Sequence, residues 1–161
     1  MTTDALSDFY RRYLPEVYGY LLYLCGGDVP LAEDLNQDVW LTLVDELSHG
    51  RAERADVRWL ITVARTRFLD HVRRTRVGRS KLTLLRGDTS ATDGDPTDSE
   101  LLEGIKRLQP LHRAVLMMRY VEDLSVPAIA AAIGRPLPAT NSLLARARAE
   151  LRSTHQGTHD G

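Results

Sequence analysis

The stretch LSVPAIAAAIGRPLPATNSLLARARAELR, residues 124–152, decides the fold of the second half of the chain. Ser125 is suited to cap a helix with Pro127 in its first turn, where the missing N–H of proline costs little. Gly134 supplies the left-handed residue that ends such a helix. Pro138 then starts a longer helix with leucines and arginines at helical spacing. This order predicts a helix-turn-helix, whose second helix lies in the DNA major groove.

The same pattern alone also fits a helical hairpin that binds no nucleic acid.

Composition supports an all-α protein, because the 161 residues are 43% hydrophobic but only 6% aromatic, and helix formers dominate. No apolar run reaches the roughly 18 residues that a membrane span needs, so no membrane insertion is expected. The single Cys25 allows no intrachain disulfide, and MTTDALSDFY has no signal-peptide pattern, so we expect a cytoplasmic location.

Charge is strongly segregated along the chain, although the net charge is only −1. Residues 1–50 hold two basic and nine acidic side chains, whereas residues 51–86 hold eleven basic and three acidic ones. Residues 87–103 hold six acidic and no basic side chains, and residues 104–161 hold eight basic and four acidic ones. Two basic blocks indicate two nucleic-acid contacts, and the acidic blocks indicate at least one other partner. Alternatively, these charged side chains lie on helix faces that only contact solvent and bind no partner.

Three helices are predicted in the first half of the chain. Residues 5–25 form the first, and Asp28 caps the second, which has an apolar residue at every fourth position from Leu31 to Leu47. The third runs from Val57 to about Val77, with apolar side chains inward and its arginines outward. A polar loop from His49 to Asp56 separates the last two helices.

One face of the second helix carries Asp34, Gln37 and Asp38. Like charges one turn apart weaken a helix slightly, so a face that keeps them is suited to a basic protein partner. An ordinary solvated face explains these residues about equally well. A metal site is not indicated, because no helical Glu-x-x-His motif accompanies them.

An acidic segment rich in Asp, Ser, Thr and Gly separates two groups of helices and predicts a flexible linker. Beyond it, a short helix ends before Pro110, and a second spans Leu111 to Val121 with Val121 facing inward. The sequence thus predicts two small helical domains, a linker and a disordered tail, with the bounds 1–80, 81–98 (linker), 99–153 and 154–161 (tail).

The whole chain resembles an extracytoplasmic-function sigma factor, a small bacterial RNA polymerase sigma factor with two domains. The resemblance of the first domain rests on LAEDLNQDVWLTLVDEL (residues 31–47) and WLITVARTRFLDHVRR (residues 59–74). That of the second rests on LQPLHRAVLMMRYVEDLS (residues 108–125) and the closing RARAELR (residues 146–152). Two motif sets in this order are much more specific than the helix-turn-helix alone.

The resemblance implies promoter-specific transcription initiation, with core RNA polymerase and promoter DNA as partners and an anti-sigma factor as the usual restraint. Asp34, Gln37 and Asp38 would contact the clamp helices of the polymerase largest subunit. The loop after the second helix would hold an extruded non-template base. The residues implied at −10 DNA are His49, Gly50, Arg51, Arg65, Arg67, Asp70, Arg73 and Arg74. Those implied at the −35 element are Pro138, Thr140, Asn141, Arg146 and Arg148.

The chain departs from the family pattern in its recognition helix, where Asn141 and Leu143 replace the usual lysine and arginine. The asparagine that commonly follows the Ala-Arg pair is Thr66, and the usual Glu-Ile-Ala of the first helix begins with Ala128. Fewer cations lower phosphate affinity and its salt dependence. We therefore expect an unusual or weakened −35 contact.

No catalytic residues, cofactor or metal ligands are indicated, since Cys25 lacks a nearby histidine and the five histidines are scattered. The main alternative is a stand-alone helix-turn-helix regulator that does not engage polymerase. Such a regulator has no need of the acidic face on the second helix. A second alternative is a degenerate sigma-like module held by a partner protein, which the loss of charge at Asn141 and Leu143 would favour.

Overall fold

The computed structural model describes residues 2–52, 54–76 and 98–156, and within these ranges its regular structure is entirely α-helical, which confirms the predicted all-α class. None of the described helices is long and apolar enough to cross a lipid bilayer. The helices in chain order are α1 (Thr3–Leu24), α2 (Val29–Ser48), α3 (Val57–Arg76), α4 (Asp98–Arg107), α5 (Pro110–Tyr120), α6 (Val126–Ile133) and α7 (Leu137–Gln156).

The chain divides into two compact units, Met1–Phe68 and Leu69–Gly161, and the division falls inside α3. Nearly all of the predicted linker, 81–98, lies outside the described residues, as do residues 157–161 of the predicted tail. The predicted first residue of the tail, 154, is wrong, because α7 continues to Gln156. The other domain bounds remain predictions.

In the first unit, α1 and α2 pack against each other and are joined by a tight turn. Gly26 has φ +66°, and the N–H groups of Gly26 and Gly27 donate to Tyr23 O and Leu22 O, which closes the end of α1. Asp28 caps α2 as predicted, since its Oδ1 accepts the Leu31 N–H at 3.2 Å. Fully buried side chains include Val17, Leu21, Leu24, Val39, Leu43, Leu60, Ala64 and Phe68.

In the second unit, α4, α5 and α6 all pack on α7. The predicted start and end of α6 are both confirmed: Ser125 Oγ accepts the Ala128 N–H at 3.2 Å, and Gly134 has φ +69°. Val121 was predicted to face inward, but it is 63% exposed because α5 ends at Tyr120 and the chain turns there. The buried apolar core includes Val115, Met118, Ile129, Leu144 and Ala147.

Polar contacts tie the ends of α4 and α7 to α5. The buried Arg113 guanidinium donates to Lys106 O at 3.2 Å and to Leu108 O at 2.9 Å, so it satisfies carbonyls at the end of α4. The Glu150 carboxylate of α7 accepts the Gln109 N–H at 3.1 Å and also contacts His112 Nδ1. These contacts hold α5 against α4 and α7.

Candidate nucleic-acid interface

The acidic side chains of α2 form a solvent-exposed surface. Asp34, Gln37 and Asp38 are all exposed, whereas Leu35 and Val39, each next to an aspartate in the sequence, are buried. The stripe of apolar residues at every fourth position therefore turns this acidic face outward, as the sequence predicted.

An apolar groove lies next to the acidic face and was missed in the sequence. Gln37, Leu41 and Val44 follow at steps of four and three residues and so share one side of α2, where Leu41 is 64% and Val44 49% exposed. The signal was available, because both apolar residues fall outside the core stripe. The α1–α2 groove has a volume of about 660 Å³ and is lined by Leu6, Ser7, Tyr10, Arg11, Asn36, Gln37, Trp40, Leu41 and Val44.

Aromatic packing gives the α1–α2 groove its floor. Trp40 is buried, and its ring meets those of Phe9 and Tyr10 edge to face, with centroids 6.3 and 4.8 Å away. The Trp40 indole N–H donates to Asn36 Oδ1 at 3.1 Å, which holds the ring against the helix. The groove is therefore built on a side chain that packing and a hydrogen bond both fix.

The loop after α2 is held by contacts with the end of that helix. Gly50 has φ +69°, its N–H donates to Leu47 O at 3.1 Å, and the Arg51 N–H donates to Glu46 O at 2.9 Å. The buried Ala52 anchors the loop in the core, and Asp56 Oδ1 caps α3 by accepting the Trp59 N–H at 2.9 Å. Predicted contact residues His49, Gly50 and Arg51 are all exposed on this ordered turn.

Arg51 is committed to an ion pair. Its Nε and Nη2 atoms donate to the two Glu46 carboxylate oxygens at 3.0 Å each. These hydrogen bonds lower the pKa of the Glu46 carboxyl and raise the pKa of the Arg51 guanidinium. The charge of Arg51 is therefore balanced by Glu46 of α2, and this pairing weakens the attraction of Arg51 for phosphate.

The arginines of α3 divide into exposed and covered side chains. Arg73 and Arg74 are exposed, and Asp70 Oδ1 accepts from Arg73 Nη1 at 3.1 Å. Arg67 is half-buried, and its Nη2 donates to Thr42 Oγ1 of α2 at 2.9 Å. Positive charge is thus present on α3 at Arg67, in the first unit, and at Arg73 and Arg74, in the second.

Arg65 differs from the other predicted contacts on α3. The prediction that its side chain points outward is wrong, because Arg65 is only 9% exposed. Its position follows Ala64, which is fully buried, and lies one helical turn before the buried Leu69. Arg65 therefore lies on the packed side of α3.

The recognition helix α7 exposes fewer of its predicted contacts than expected. Pro138, Asn141 and Arg146 are exposed. Thr140 is fully buried and its Oγ1 donates to Pro136 O at 3.0 Å, so the prediction that it lies on the DNA-facing surface is wrong. Helical spacing places Thr140 one turn before the buried Leu143 and Leu144, on the side that packs in the core.

Arg148 is held by a side chain that the sequence did not single out. Its Nε donates to the Tyr120 hydroxyl at 2.8 Å, and its guanidinium lies 5.9 Å from the centroid of that ring. Tyr120 is 63% exposed, so the pair stands at the surface beside Val121. Arg146 is therefore the predicted contact on α7 that is both exposed and positively charged.

The chain matches known families over both units. Residues 9–77 match the family model for sigma-70 region 2, and residues 98–151 match the model for sigma-70 region 4. The chain is 30% identical over 158 residues to the RNA polymerase sigma factor YlaC of Bacillus subtilis (strain 168), covering 92% of this chain and 91% of YlaC. It is 29% identical over 153 residues to the ECF RNA polymerase sigma factor BldN of Streptomyces coelicolor, covering 89% of this chain and 58% of BldN.

A solved structure shares the fold. The sigma factor RpoE of Bartonella quintana, in complex with the anti-sigma factor NepR, superposes with a TM-score of 0.63 at 18% sequence identity. The match covers 96% of this chain and 98% of that chain. At this identity the similarity is evidence for the fold alone.

Proposed function

The chain belongs to the sigma-70 family as an RNA polymerase sigma factor of the extracytoplasmic-function type, and from this premise we propose which surface performs each step of initiation. Sigma factors are regulatory DNA-binding proteins that direct core polymerase to promoters. The proposed place of action is the cytoplasm, where polymerase and chromosome meet. The chemistry of RNA synthesis belongs to the polymerase, and this chain supplies recognition.

Core polymerase is the proposed partner of α2. The observation that carries this proposal is that exposed carboxylates and an exposed apolar groove adjoin on one helix, with Gln37 belonging to both. Such a surface fits a helical partner with an apolar stripe and flanking basic side chains, because apolar burial supplies affinity and opposite charge supplies orientation. We assign this role to the clamp helices of the polymerase largest subunit, with Asp34, Gln37 and Asp38 as the polar contacts.

The proposed −10 contacts are the turn after α2 and the arginines of α3 that are not buried. Arg67, Arg73 and Arg74 would contact the backbone of the melted strand, and Asp70 orients Arg73. The turn at His49 and Gly50 would border the pocket of an extruded base, since an ordered and exposed backbone turn can approach an unstacked nucleotide. Arg65 is buried in the free chain, so we leave it out of the proposed contact.

The proposed −35 contact is the exposed side of α7. Asn141 and Arg146 are the polar side chains for bases and phosphates, and Pro138 lies in the exposed first turn of the helix. An amide pairs well with adenine in the major groove. The family usually has an arginine at the position of Leu143. Leu143 is buried in the core, so the leucine removes a cation but leaves the exposed side of the helix unchanged.

An anti-sigma factor is the proposed regulator of this chain. The solved relative RpoE is bound to the anti-sigma factor NepR, and restraint by such a partner is common in the family. A protein that covers the acidic face or the α1–α2 groove would block core polymerase. Competition between the two partners for α2 would make regulation a matter of their relative affinities.

The decisive experiment measures binding of the purified chain to core RNA polymerase, followed by run-off transcription on genomic fragments. Asp34→Lys/Asp38→Lys replaces attraction by repulsion at two exposed contacts, so we expect at least about 30-fold weaker binding. Asp8→Lys/Glu16→Lys is the matched control, because it makes the same charge change at exposed positions of α1. We expect the control to bind core polymerase and to initiate from the same promoters.

Two outcomes would contradict the assignment. Equal loss of binding in both double variants would show that net charge, and not the acidic face, governs the affinity. No binding by a folded wild-type chain would favour the alternative of a helix-turn-helix regulator that does not engage polymerase.

A further inference from the structure

Arg67 of α3 is connected to α2 through Thr42. The Arg67 Nη2 atom lies 2.9 Å from Thr42 Oγ1, and the two residues are 25 positions apart in the chain. Both belong to the first unit. This hydrogen bond therefore joins the proposed polymerase-binding helix to the helix that carries the proposed −10 contacts.

A second hydrogen bond of Thr42 orients its hydroxyl group. The Thr42 hydroxyl donates to Asp38 O at 2.7 Å, one turn earlier on α2. A guanidinium only donates hydrogen bonds, so the hydroxyl oxygen accepts from Arg67, and the hydroxyl proton is used by Asp38 O. The orientation of the hydroxyl is thus set by α2 itself and does not depend on Arg67.

A neutral partner leaves the charge of Arg67 available. Arg51 and Arg73 pair with the carboxylates of Glu46 and Asp70, which cancel much of their positive charge. Among the described residues, Arg67 forms no such ion pair. Arg67 is thereby held in place while its full charge remains for an anion.

We propose that Thr42 is a positioning residue, which holds the Arg67 guanidinium ready for a phosphate of the melted −10 strand. This inference rests on the proposed function, because it requires Arg67 to contact DNA. A free arginine loses side-chain entropy when it binds a phosphate, and an arginine that is already ordered loses less. Thr42 thus contributes to DNA affinity without contacting DNA.

The test compares four variants as holoenzymes with core polymerase. The probe is a fluorescein-labelled promoter fork, single-stranded over the −10 element, with the sequence of a promoter mapped by run-off transcription. Arg67→Ala should weaken fork binding about tenfold and reduce the salt slope by about 0.7, the value for one single-strand phosphate contact. Thr42→Val, which keeps the shape and loses the hydroxyl, should weaken binding about three- to fivefold.

Two further variants separate positioning from a general structural role. Thr42→Ser keeps the hydroxyl, so we expect binding within about twofold of wild type. Thr42→Val/Arg67→Ala should bind as Arg67→Ala does, because without the arginine the hydroxyl has nothing to position. Affinity for core polymerase should be the same in all four variants.

Each unfavourable result has a distinct meaning. If Arg67→Ala binds the fork as wild type does, the proposed −10 assignment of Arg67 fails, and the role of Thr42 fails with it. If Arg67→Ala weakens binding but Thr42→Val does not, only the positioning role is overturned. A loss from Thr42→Val that persists in the Arg67→Ala background, or that Thr42→Ser shares, would also overturn it.

Discussion

The exposed side of α7 makes a quantitative prediction about Asn141. The family usually has a lysine at this position, and the structure leaves Asn141 exposed on the second turn of the recognition helix. Arg146 is exposed two turns after the start of the helix, whereas Arg148 is held by Tyr120. We therefore expect that Asn141→Lys adds one phosphate contact to a surface that has few cations.

The size of the effect follows from counterion release. Each phosphate contact on duplex DNA adds about 0.9 to the slope of log affinity against log salt concentration. Between about 50 and 200 mM salt, one contact accounts for a factor of about 3.5 in affinity. Asn141→Lys should therefore lose about 3.5-fold more affinity than wild type over this range, and Arg146→Ala about 3.5-fold less.

The assay is fluorescence anisotropy of the full chain on a labelled −35 duplex at several salt concentrations. Contributions from α3 are common to all variants and cancel when slopes are subtracted. Ser153→Lys is the matched control, because it adds the same charge on the same helix, about 18 Å from residue 141. Equal slopes for wild type and Asn141→Lys, or an equal increase for both lysine variants, would refute the placement of this face on DNA.

Three other predictions concern the fold. Gly134→Ala should lower the free energy of unfolding by about 1–2 kcal/mol, since φ +69° disfavours a Cβ atom although nothing lies within 4 Å of it, and Gly134→Asn should recover part of the loss in the same thermal melt. Arg113→Met should cost about 2–4 kcal/mol because two carbonyls lose a charged donor, and an unchanged melting temperature would contradict this. Arg51→Gln should return the pKa of Glu46 upward in an NMR titration. The lowered pKa of Glu46 stabilises the fold at pH values above the unfolded-state pKa, and this stabilisation is lost as the pH falls through the folded-state pKa. The variant should therefore lose less stability in acid than wild type does. An unchanged Glu46 titration would mean that Arg51 does not cause the shift.

Local features of the fold could be predicted from the sequence because their causes lie within a few residues. A cap needs one side-chain oxygen before the first turn, as at Asp28 and Ser125, and a left-handed ending needs a glycine, as at Gly134. The acidic face was also predictable, since the apolar stripe of α2 fixes which side faces water. The family resemblance, now confirmed by matches over both units, added the order of the two domains.

Features that depend on distant packing could not be predicted. Arg65 and Thr140 belong to polar residue types that usually face solvent, and although buried apolar residues lie close to each of them on its helix, the packing in the fold is what covers these side chains. The pairing of Arg67 with Thr42 joins residues 25 positions apart, and that of Arg148 with Tyr120 joins residues 28 apart. A helical period gives the relative angle of side chains on one helix, but it does not give the neighbour that each side meets.

The tryptophans give the chain a natural optical reporter. Both of them, Trp40 and Trp59, belong to the first unit, and the second unit has none. Because Trp40 lines the α1–α2 groove, its indole fluorescence, excited selectively, should change when a tryptophan-free peptide enters the groove. The same emission should follow the melting of the first unit alone, while circular dichroism follows both. Dye-free titration of candidate anti-sigma peptides is therefore feasible on the unmodified protein.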